Sequence, residues 1–148
     1  MNKDTYTFPA VFDYSEPPGC SIEFPDLPGC ISEGDNDDDA VYMATDALSI
    51  RLLSDEEDGT PIPEPSDVLE IKKRLEPKQI VTLIRVNMPA VRAKYDEKSI
   101  NKTVTLPAWL LYEGKEAEIN FSQTLQDAIM EKLGIKRKIK RRQYKNKH

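Results

Sequence analysis

Four carboxylates in the N-terminal part of the chain are of the type that holds a divalent metal for phosphodiester hydrolysis: Asp13, Glu23, Asp26 and Asp37. Such hydrolysis needs the carboxylates to converge on the metal, and nothing in this spacing favours convergence. The single histidine is His148, at the C-terminal end, so the body of the chain lacks the usual general acid and base. The pattern predicts that the chain is not an enzyme.

The sequence also lacks the residue patterns of a metal site or of a catalytic nucleophile. Cys20 and Cys30 are ten positions apart with no histidine near them, which is not the spacing of a zinc site. No glycine-rich phosphate-binding loop is present in the sequence. We therefore predict no metal and no cofactor. The N-terminal residues lack the apolar segment of a signal peptide, and no apolar run is long enough for a membrane span, so we expect a reduced, cytoplasmic protein.

The charge of the chain is divided sharply between its two ends. Residues 1–60 contain 15 acidic and 2 basic side chains, a net charge of −13, whereas residues 136–148 contain 8 basic side chains and no acid. An acidic half suits a basic protein, and a basic tail suits phosphates. The asymmetry predicts two partners of opposite charge. The plain alternative is a solvated acidic surface and an unstructured tail.

Within residues 101–106, Thr103 and Thr105 are polar and Val104 and Leu106 are apolar, an alternation that is typical of a strand with one buried face. Pro107 ends this strand and suits the first position of a helix. A second helix is predicted to begin near Asn120 or Ser122 and to end at Gly134. Its apolar residues recur at helical spacing: Leu125, Ala128, Ile129 and Leu133.

One strand and two helices bury little in a single copy, and a lone strand leaves both of its edges unpaired. If two copies pair their strands antiparallel, both problems are solved, and the resulting ribbon fits the DNA major groove. The segment resembles the ribbon-helix-helix (Arc/MetJ-type) DNA-binding fold, in whose core we expect Trp109. The alternative is a β-α-α element that packs within its own chain.

This resemblance implies DNA contacts for six residues. In that fold the exposed side chains of the ribbon read bases, and the candidates here are Asn101, Thr103 and Thr105, with Lys102 as a further DNA-binding residue. An asparagine can form two hydrogen bonds with adenine, and a threonine offers a hydroxyl and a methyl group. The N–H groups around Phe121 and Ser122, at the start of the second helix, are expected to hold a phosphate.

The residues before this segment predict the order β-β-β-α-β, with short helices at 67–75 and 89–95. The predicted strands are 6–14, 20–24, 30–32 and 79–88, and the predicted long helix is 37–54, ended by the acidic residues 55–58. Pro9 predicts that the first strand lies at a sheet edge or contains a bulge. The nearly continuous apolar run of the last strand predicts a central position, buried on both faces.

The most specific motif lies at residues 24–35, which read Phe-Pro-Asp-Leu-Pro-Gly-Cys-Ile-Ser-Glu-Gly-Asp, before a helix rich in small apolar residues. This motif resembles the HicB family of antitoxins. The resemblance implies an α+β fold with three parts. These are a degenerate RNase-H-like domain without the nuclease site at 1–96, a ribbon-helix-helix domain at 97–135 and a basic tail at 136–148.

The resemblance also implies a function and a partner. A HicB antitoxin neutralises a HicA-type toxin, a small basic protein that cleaves mRNA, by binding it and occluding its active site. The candidate toxin-binding residues are the acids Glu23, Asp26, Glu33, Asp35 and Asp37. The ribbon-helix-helix homodimer would bind operator DNA and repress its own operon, with a higher oligomer left open. The alternative function is a stand-alone ribbon-helix-helix regulator whose N-terminal domain senses a small ligand.

Overall fold

The computed structural model describes residues 3–135, so the predicted basic tail lies outside the described residues. The chain divides into two compact units, Met1–Asp96 and Glu97–His148. The first unit contains β1 (Thr5–Asp13), β2 (Cys20–Glu23), β3 (Ile31–Gly34), α1 (Asp37–Asp58), α2 (Val68–Lys72), β4 (Gln79–Asn87) and α3 (Met88–Lys94). The second contains α4 (Ala108–Glu116) and α5 (Phe121–Leu133). None of the helices within residues 3–135 combines the length and the apolar character that a membrane span needs.

The first unit is built on a four-stranded antiparallel sheet in the order β3-β2-β1-β4. Side chains alternate between the two faces of a strand, so the register gathers one set of buried apolar residues on a single face. These residues are Phe8, Ala10, Phe12, Ile22, Ile84 and Val86. The same core includes the small and branched residues of α1: Ala40, Ala44, Leu48 and Leu52. The unit is therefore a mixed α+β layer, with one long helix packed on one face of the sheet.

Helix α1 is longer than the sequence predicted, because it continues past residue 54 to Asp58 and ends at Gly59 with a φ of 71°. Two of the acids that were expected to end it are held by arginines. Arg51 Nε lies 3.1 Å from Asp55 Oδ2, and Arg92 Nη2 lies 2.7 Å from Glu56 Oε1. Because these charges are compensated, acidic side chains do not stop the helix there.

Two predicted strand positions were wrong: β1 is central and β4 is an edge strand. Pro9 is tolerated in β1 because β2 pairs only with Val11–Asp13, so the missing N–H of Pro9 costs no hydrogen bond to β2. The apolar run of β4 does not reflect a central strand buried on both faces, as was predicted, because β4 has only one neighbouring strand. β4 contacts α1 and the short α2, yet its Leu83 is still 55% exposed.

The described part of the second unit contains two helices and no strand, so the strand predicted at 101–106 is not present in a single chain. A lone extended segment has no neighbouring strand with which to pair. Pro107 is the N-cap of α4 rather than its first helical residue. Helix α5 begins after Asn120 and ends at Gly134, whose φ is 69°, and both positions confirm the prediction.

Helices α4 and α5 contact each other closely at Gly114. A Cβ placed on Gly114 would lie 2.7 Å from Cζ of the Phe121 ring, so only glycine fits this contact. Many apolar side chains of the unit are nevertheless exposed in the single chain, among them Val104, Trp109, Leu110, Leu125, Ile129 and Leu133. Trp109, which was predicted to lie in a core, is 68% exposed. One copy of this unit therefore leaves its apolar surface open.

Candidate functional site

The predicted toxin-binding acids Glu23 and Glu33 lie close together on the solvent-facing side of β2 and β3. Glu23 is opposite Ile31, and Ser21 is opposite Glu33, so these alternating residues share one face. Ile31 is adjacent to both acids and is 62% exposed. Because β3 is the outermost strand on this side, the three residues form a border of the sheet. We call Glu23, Ile31 and Glu33 the acidic edge.

Asp35 and Asp37 extend the acidic edge toward the start of α1. Asp35 is exposed, and its backbone N–H donates to Asp39 Oδ2 at 2.8 Å. Asp37 Oδ1 accepts a hydrogen bond from the Tyr14 hydroxyl at 3.0 Å. Removal from solvent, and then the neighbouring Asp37 carboxylate, raises the pKa of Tyr14 to about 12, so the hydroxyl stays protonated as a donor. The acids also complement the positive end of the helix dipole.

Asp26 is engaged within the chain. Its carboxylate accepts hydrogen bonds from the Ser66 hydroxyl and from the Ser66 backbone N–H, the latter at 2.9 Å. Arg51 Nη1 donates to the carbonyl of Pro28 at 2.7 Å and holds the same loop from the side of α1. Asp26 therefore joins the Pro-Asp-Leu-Pro-Gly loop to the proline-rich segment after α1. A direct contact from Asp26 to a partner stays a prediction.

An open cavity of about 420 Å³ lies beside the acidic edge. Its lining includes the carboxylates of Asp13, Glu16, Glu33 and Asp35 and contains no basic side chain. Hydrogen bonds from Ser15 and Gln79 lower the pKa of Asp13, so this carboxylate is charged throughout the neutral range. The cavity therefore carries negative charge and suits a basic side chain better than an anion.

The structure does not assemble the carboxylates considered for metal-dependent hydrolysis. Within residues 3–135, no group of three or more His, Cys, Asp or Glu residues is placed to hold a metal ion. Cys20 and Cys30 are free and buried in the core. Burial raises the pKa of both thiols, that of Cys30 to about 11, so neither is a reactive thiolate at neutral pH.

The predicted DNA-binding residues lie in two places in the second unit. Asn101, Lys102, Thr103 and Thr105 are exposed in the segment before α4 that forms neither helix nor strand, and Phe121 and Ser122 form the first turn of α5. The Asn120 side chain already accepts from the N–H of Gln123 at 3.0 Å. The phosphate site around Phe121 and Ser122 stays a prediction.

Two residues of the candidate site escaped the sequence analysis: Ile31 and Ser66. An exposed isoleucine on an outer strand becomes visible only when the strand order is known. Ser66 is 40 positions from Asp26, and no local pattern connects them. The composition of the Asp26 loop predicted a rigid turn but not the contact that holds it.

The comparison with known families is decisive for the class of protein. A family model described as "HicB_like antitoxin of bacterial toxin-antitoxin system" matches residues 8–131. The chain belongs to the HicB-like antitoxin family. This family is a class of antitoxins, not of enzymes, and its match extends over most of both units.

Individual relatives of this HicB-like antitoxin are moderately similar to it. An uncharacterized 14.9 kDa protein in the rep-hol intergenic region of Haemophilus phage HP1 (strain HP1c1) is 30% identical over 95 residues, which cover 64% of this chain and 68% of that protein. A chain of a toxin–antitoxin complex from Streptococcus pneumoniae is 28% identical, with a TM-score of 0.52 over 86% of this chain and 99% of that chain. The antitoxin HicB from Burkholderia pseudomallei is 22% identical, with a TM-score of 0.49 over 86% and 98% of the two chains.

Proposed function

We propose that this HicB-like antitoxin neutralises a HicA-type, mRNA-cleaving toxin by binding it through residues 1–96 and occluding its active site. The observation that carries the proposal is the acidic edge, with its adjacent carboxylates, on a unit whose family is that of toxin-neutralising partners. The Streptococcus pneumoniae chain that resembles it belongs to a toxin–antitoxin complex, which supports the same role.

Electrostatic attraction supports this pairing. Residues 1–60 carry a net charge of −13, from 15 acids and 2 bases, and a toxin that binds RNA must present basic side chains. Complementary charge accelerates association and discriminates against wrong partners, with an effect that salt weakens. Glu23, Glu33 and Asp35 are exposed and suited to contact the toxin, while Asp37 is shared with Tyr14 and Asp26 with Ser66.

We further propose that residues 97–135 form a ribbon-helix-helix homodimer. In a second copy the segment 101–106 would find the antiparallel strand that is missing in one chain. The exposed apolar side chains of α4 and α5, Trp109 among them, would then be covered by the partner copy. The first unit corresponds, in this proposal, to a degenerate RNase-H-like domain without a nuclease site.

The ribbon would present Asn101, Thr103 and Thr105 to the DNA major groove, with Lys102 beside them and the Phe121 and Ser122 N–H groups on a phosphate. Binding of this kind to the operator of its own operon would make the antitoxin an autorepressor. Both partners, the toxin and the operator, would be met in the bacterial cytoplasm.

The direct test of neutralisation is a titration of RNA cleavage. The cognate HicA-type toxin is incubated with RNA, and increasing amounts of the full-length chain are added. We expect cleavage to stop at a fixed molar ratio, and serum albumin at the same concentrations to have no effect. Undiminished cleavage at a large excess of the chain would contradict neutralisation.

A further inference from the structure

We infer that the toxin docks by adding a strand to the outer edge of β3, with Ile31 as the apolar anchor and Glu23 and Glu33 as flanking charges. This inference rests on the proposed function and deepens it, because it states where and how the basic partner binds. Three features of the first unit carry it: the open backbone of β3, the side chains around Ile31, and the contrast between the two edges of the sheet.

The backbone of β3 offers free hydrogen-bonding groups on its outer side. The Phe24 N–H donates to the Cys30 carbonyl at 3.1 Å, so alternate residues from Cys30 onward direct their backbone groups toward β2. By the same alternation the N–H and C=O groups of Ile31 and Glu33 point away from the sheet. Among residues 3–135, no hydrogen bond of the chain uses these four groups.

This open stretch is bounded on both sides. Before it lies the turn in which the Cys30 N–H donates to the Leu27 carbonyl at 2.9 Å, and after it the outward N–H of Asp35 donates to Asp39 Oδ2 at 2.8 Å. The stretch therefore accepts a short partner strand in a defined register. Unpaired backbone at a sheet edge is a template for strand addition from another chain.

The side chains around this stretch specify a basic partner. Ile31, 62% exposed, is an apolar residue adjacent to two acids, and such an anchor surrounded by polar groups is typical of interface hot spots. A partner strand with an apolar residue between two lysines or arginines would complement it. A second copy of β3 would not, because Glu23 and Glu33 would then face like charges.

The opposite edge of the sheet, formed by β4, can be compared with the β3 edge in backbone pairing and charge. The Tyr14 N–H donates to the Lys78 carbonyl, and the Met88 N–H donates to the Asp4 carbonyl. Because backbone groups alternate in direction along a strand, the N–H and C=O groups of Leu83 and Arg85 in β4 point away from β1. Leu83 is 55% exposed, but β4 contains no acid and one arginine. Of the two edges, only β3 combines an open backbone with negative charge.

The test measures the affinity of the full-length chain for the cognate HicA-type toxin by titration calorimetry. Two matched pairs of variants separate the contributions. Ile31→Lys is compared with Leu83→Lys, since both positions are exposed on edge strands. Glu33→Pro, which removes the outward N–H, is compared with Glu33→Gln, which removes the charge alone. Far-ultraviolet circular dichroism verifies the fold of each variant.

We expect Ile31→Lys and Glu33→Pro each to weaken binding by about thirtyfold, the size of a hot-spot loss, and Leu83→Lys by less than about twofold. Glu33→Gln is expected to bind the toxin less than tenfold more weakly than the wild-type chain does. In amide hydrogen exchange, the Ile31 and Glu33 N–H groups should become protected in the complex, while those of Leu83 and Arg85 stay unchanged.

Wild-type binding by Ile31→Lys, or exchange at Ile31 and Glu33 that is the same with and without the toxin, would overturn the strand addition and leave the antitoxin role intact. A loss confined to Leu83→Lys would overturn it in favour of the β4 edge. If Glu33→Pro fails to fold, Ile31→Lys and the exchange data decide. Absence of binding by the wild-type chain would instead overturn the proposed function itself.

Discussion

Glu56 and Arg92 form an ion pair in which the Glu56 side chain is buried and the Arg92 side chain is partly exposed. Arg92 donates to both Glu56 oxygens, at 3.0 and 2.7 Å, and to the Lys3 carbonyl at 2.8 Å. The hydrogen bond to Glu56 is the main reason why the pKa of Arg92 is raised. The pair joins α3 to the end of α1 and to the N-terminal residues. It therefore stabilises the unit that carries the acidic edge without belonging to that edge.

Glu56→Ala should lower the free energy of unfolding by about 1–3 kcal/mol, because it removes the carboxylate that accepts two hydrogen bonds from Arg92 and leaves only the exposed Asp4 carboxylate, 3.8 Å from Arg92 Nη1, as a charged partner. The matched control is Glu70→Ala, which breaks the exposed ion pair with Lys73 and should cost less than about 1 kcal/mol. Urea unfolding followed by circular dichroism measures both. Equal losses in the two variants would show that the burial of Glu56, whose side chain is 4% exposed, does not matter.

Single residues of the candidate site were predictable to different degrees. The charge pattern and the family resemblance together gave five unranked acids as candidates, Glu23 and Glu33 among them, and their contact with a toxin stays a prediction. Ile31 was not selected, since in the sequence it looks like any apolar strand residue, and its exposure depends on β3 being outermost. Asp26 was selected as a surface acid, but its carboxylate is held by Ser66.

At the scale of elements, the packing of α4 on α5 depends on Gly114. Gly114→Ala would normally favour a helix by about 1 kcal/mol, but here the new Cβ would meet the Phe121 ring. We expect the variant to be less stable than wild type by about 1–3 kcal/mol, as in overpacked cores. In a Phe121→Leu background the same change should become neutral or stabilising. Thermal unfolding at one fixed protein concentration measures the stability of the wild type, the two single variants and the double variant.

If Gly114→Ala destabilises the chain equally with phenylalanine and with leucine at position 121, the contact between α4 and α5 is not the cause. If it stabilises both, the close approach at Gly114 does not exist in solution. A double-mutant cycle of this kind isolates the interaction between the two residues.

The segment before α4 is the element proposed to read DNA. Thr103→Ala combined with Thr105→Ala should cost specific operator binding about 1–3 kcal/mol for each lost base contact. The measurement is a gel-shift titration on the promoter of the operon, with an unrelated duplex of equal length as the control for non-specific binding. Light scattering verifies that the variant has the mass of the wild-type oligomer. An unchanged operator affinity would reject the segment as the reader.

Most elements were predictable from the sequence, and their arrangement was less so. Asn120 and Gly134 located both ends of α5, because capping is a local property. The predicted positions of β1 and β4 in the sheet were wrong. Pro9 indicates a missing hydrogen-bond donor and the apolar run of β4 indicates burial, but neither indicates which strands are neighbours. The strand at 101–106 could not appear in one chain, because its proposed partner is a second copy.

At the scale of the whole molecule, the chain combines an acidic unit and a unit with open apolar helices. The first feature suits a basic protein and the second a second copy of the chain. Together they predict an assembly in which a pair of these chains carries toxin on its N-terminal units and DNA on its C-terminal units. Occupation of both kinds of site would couple neutralisation to repression.

Co-purification tests the toxin partner and the ribbon dimer in one experiment. The chain is expressed together with the protein encoded beside it, one of the two carries a tag, and the mass of the eluted species is measured by size-exclusion chromatography with light scattering. We expect a stable hetero-complex that contains an even number of these 16.9 kDa chains. A chain that elutes alone as a monomer of 16.9 kDa, with its neighbour left behind, would contradict both the toxin partner and the ribbon dimer.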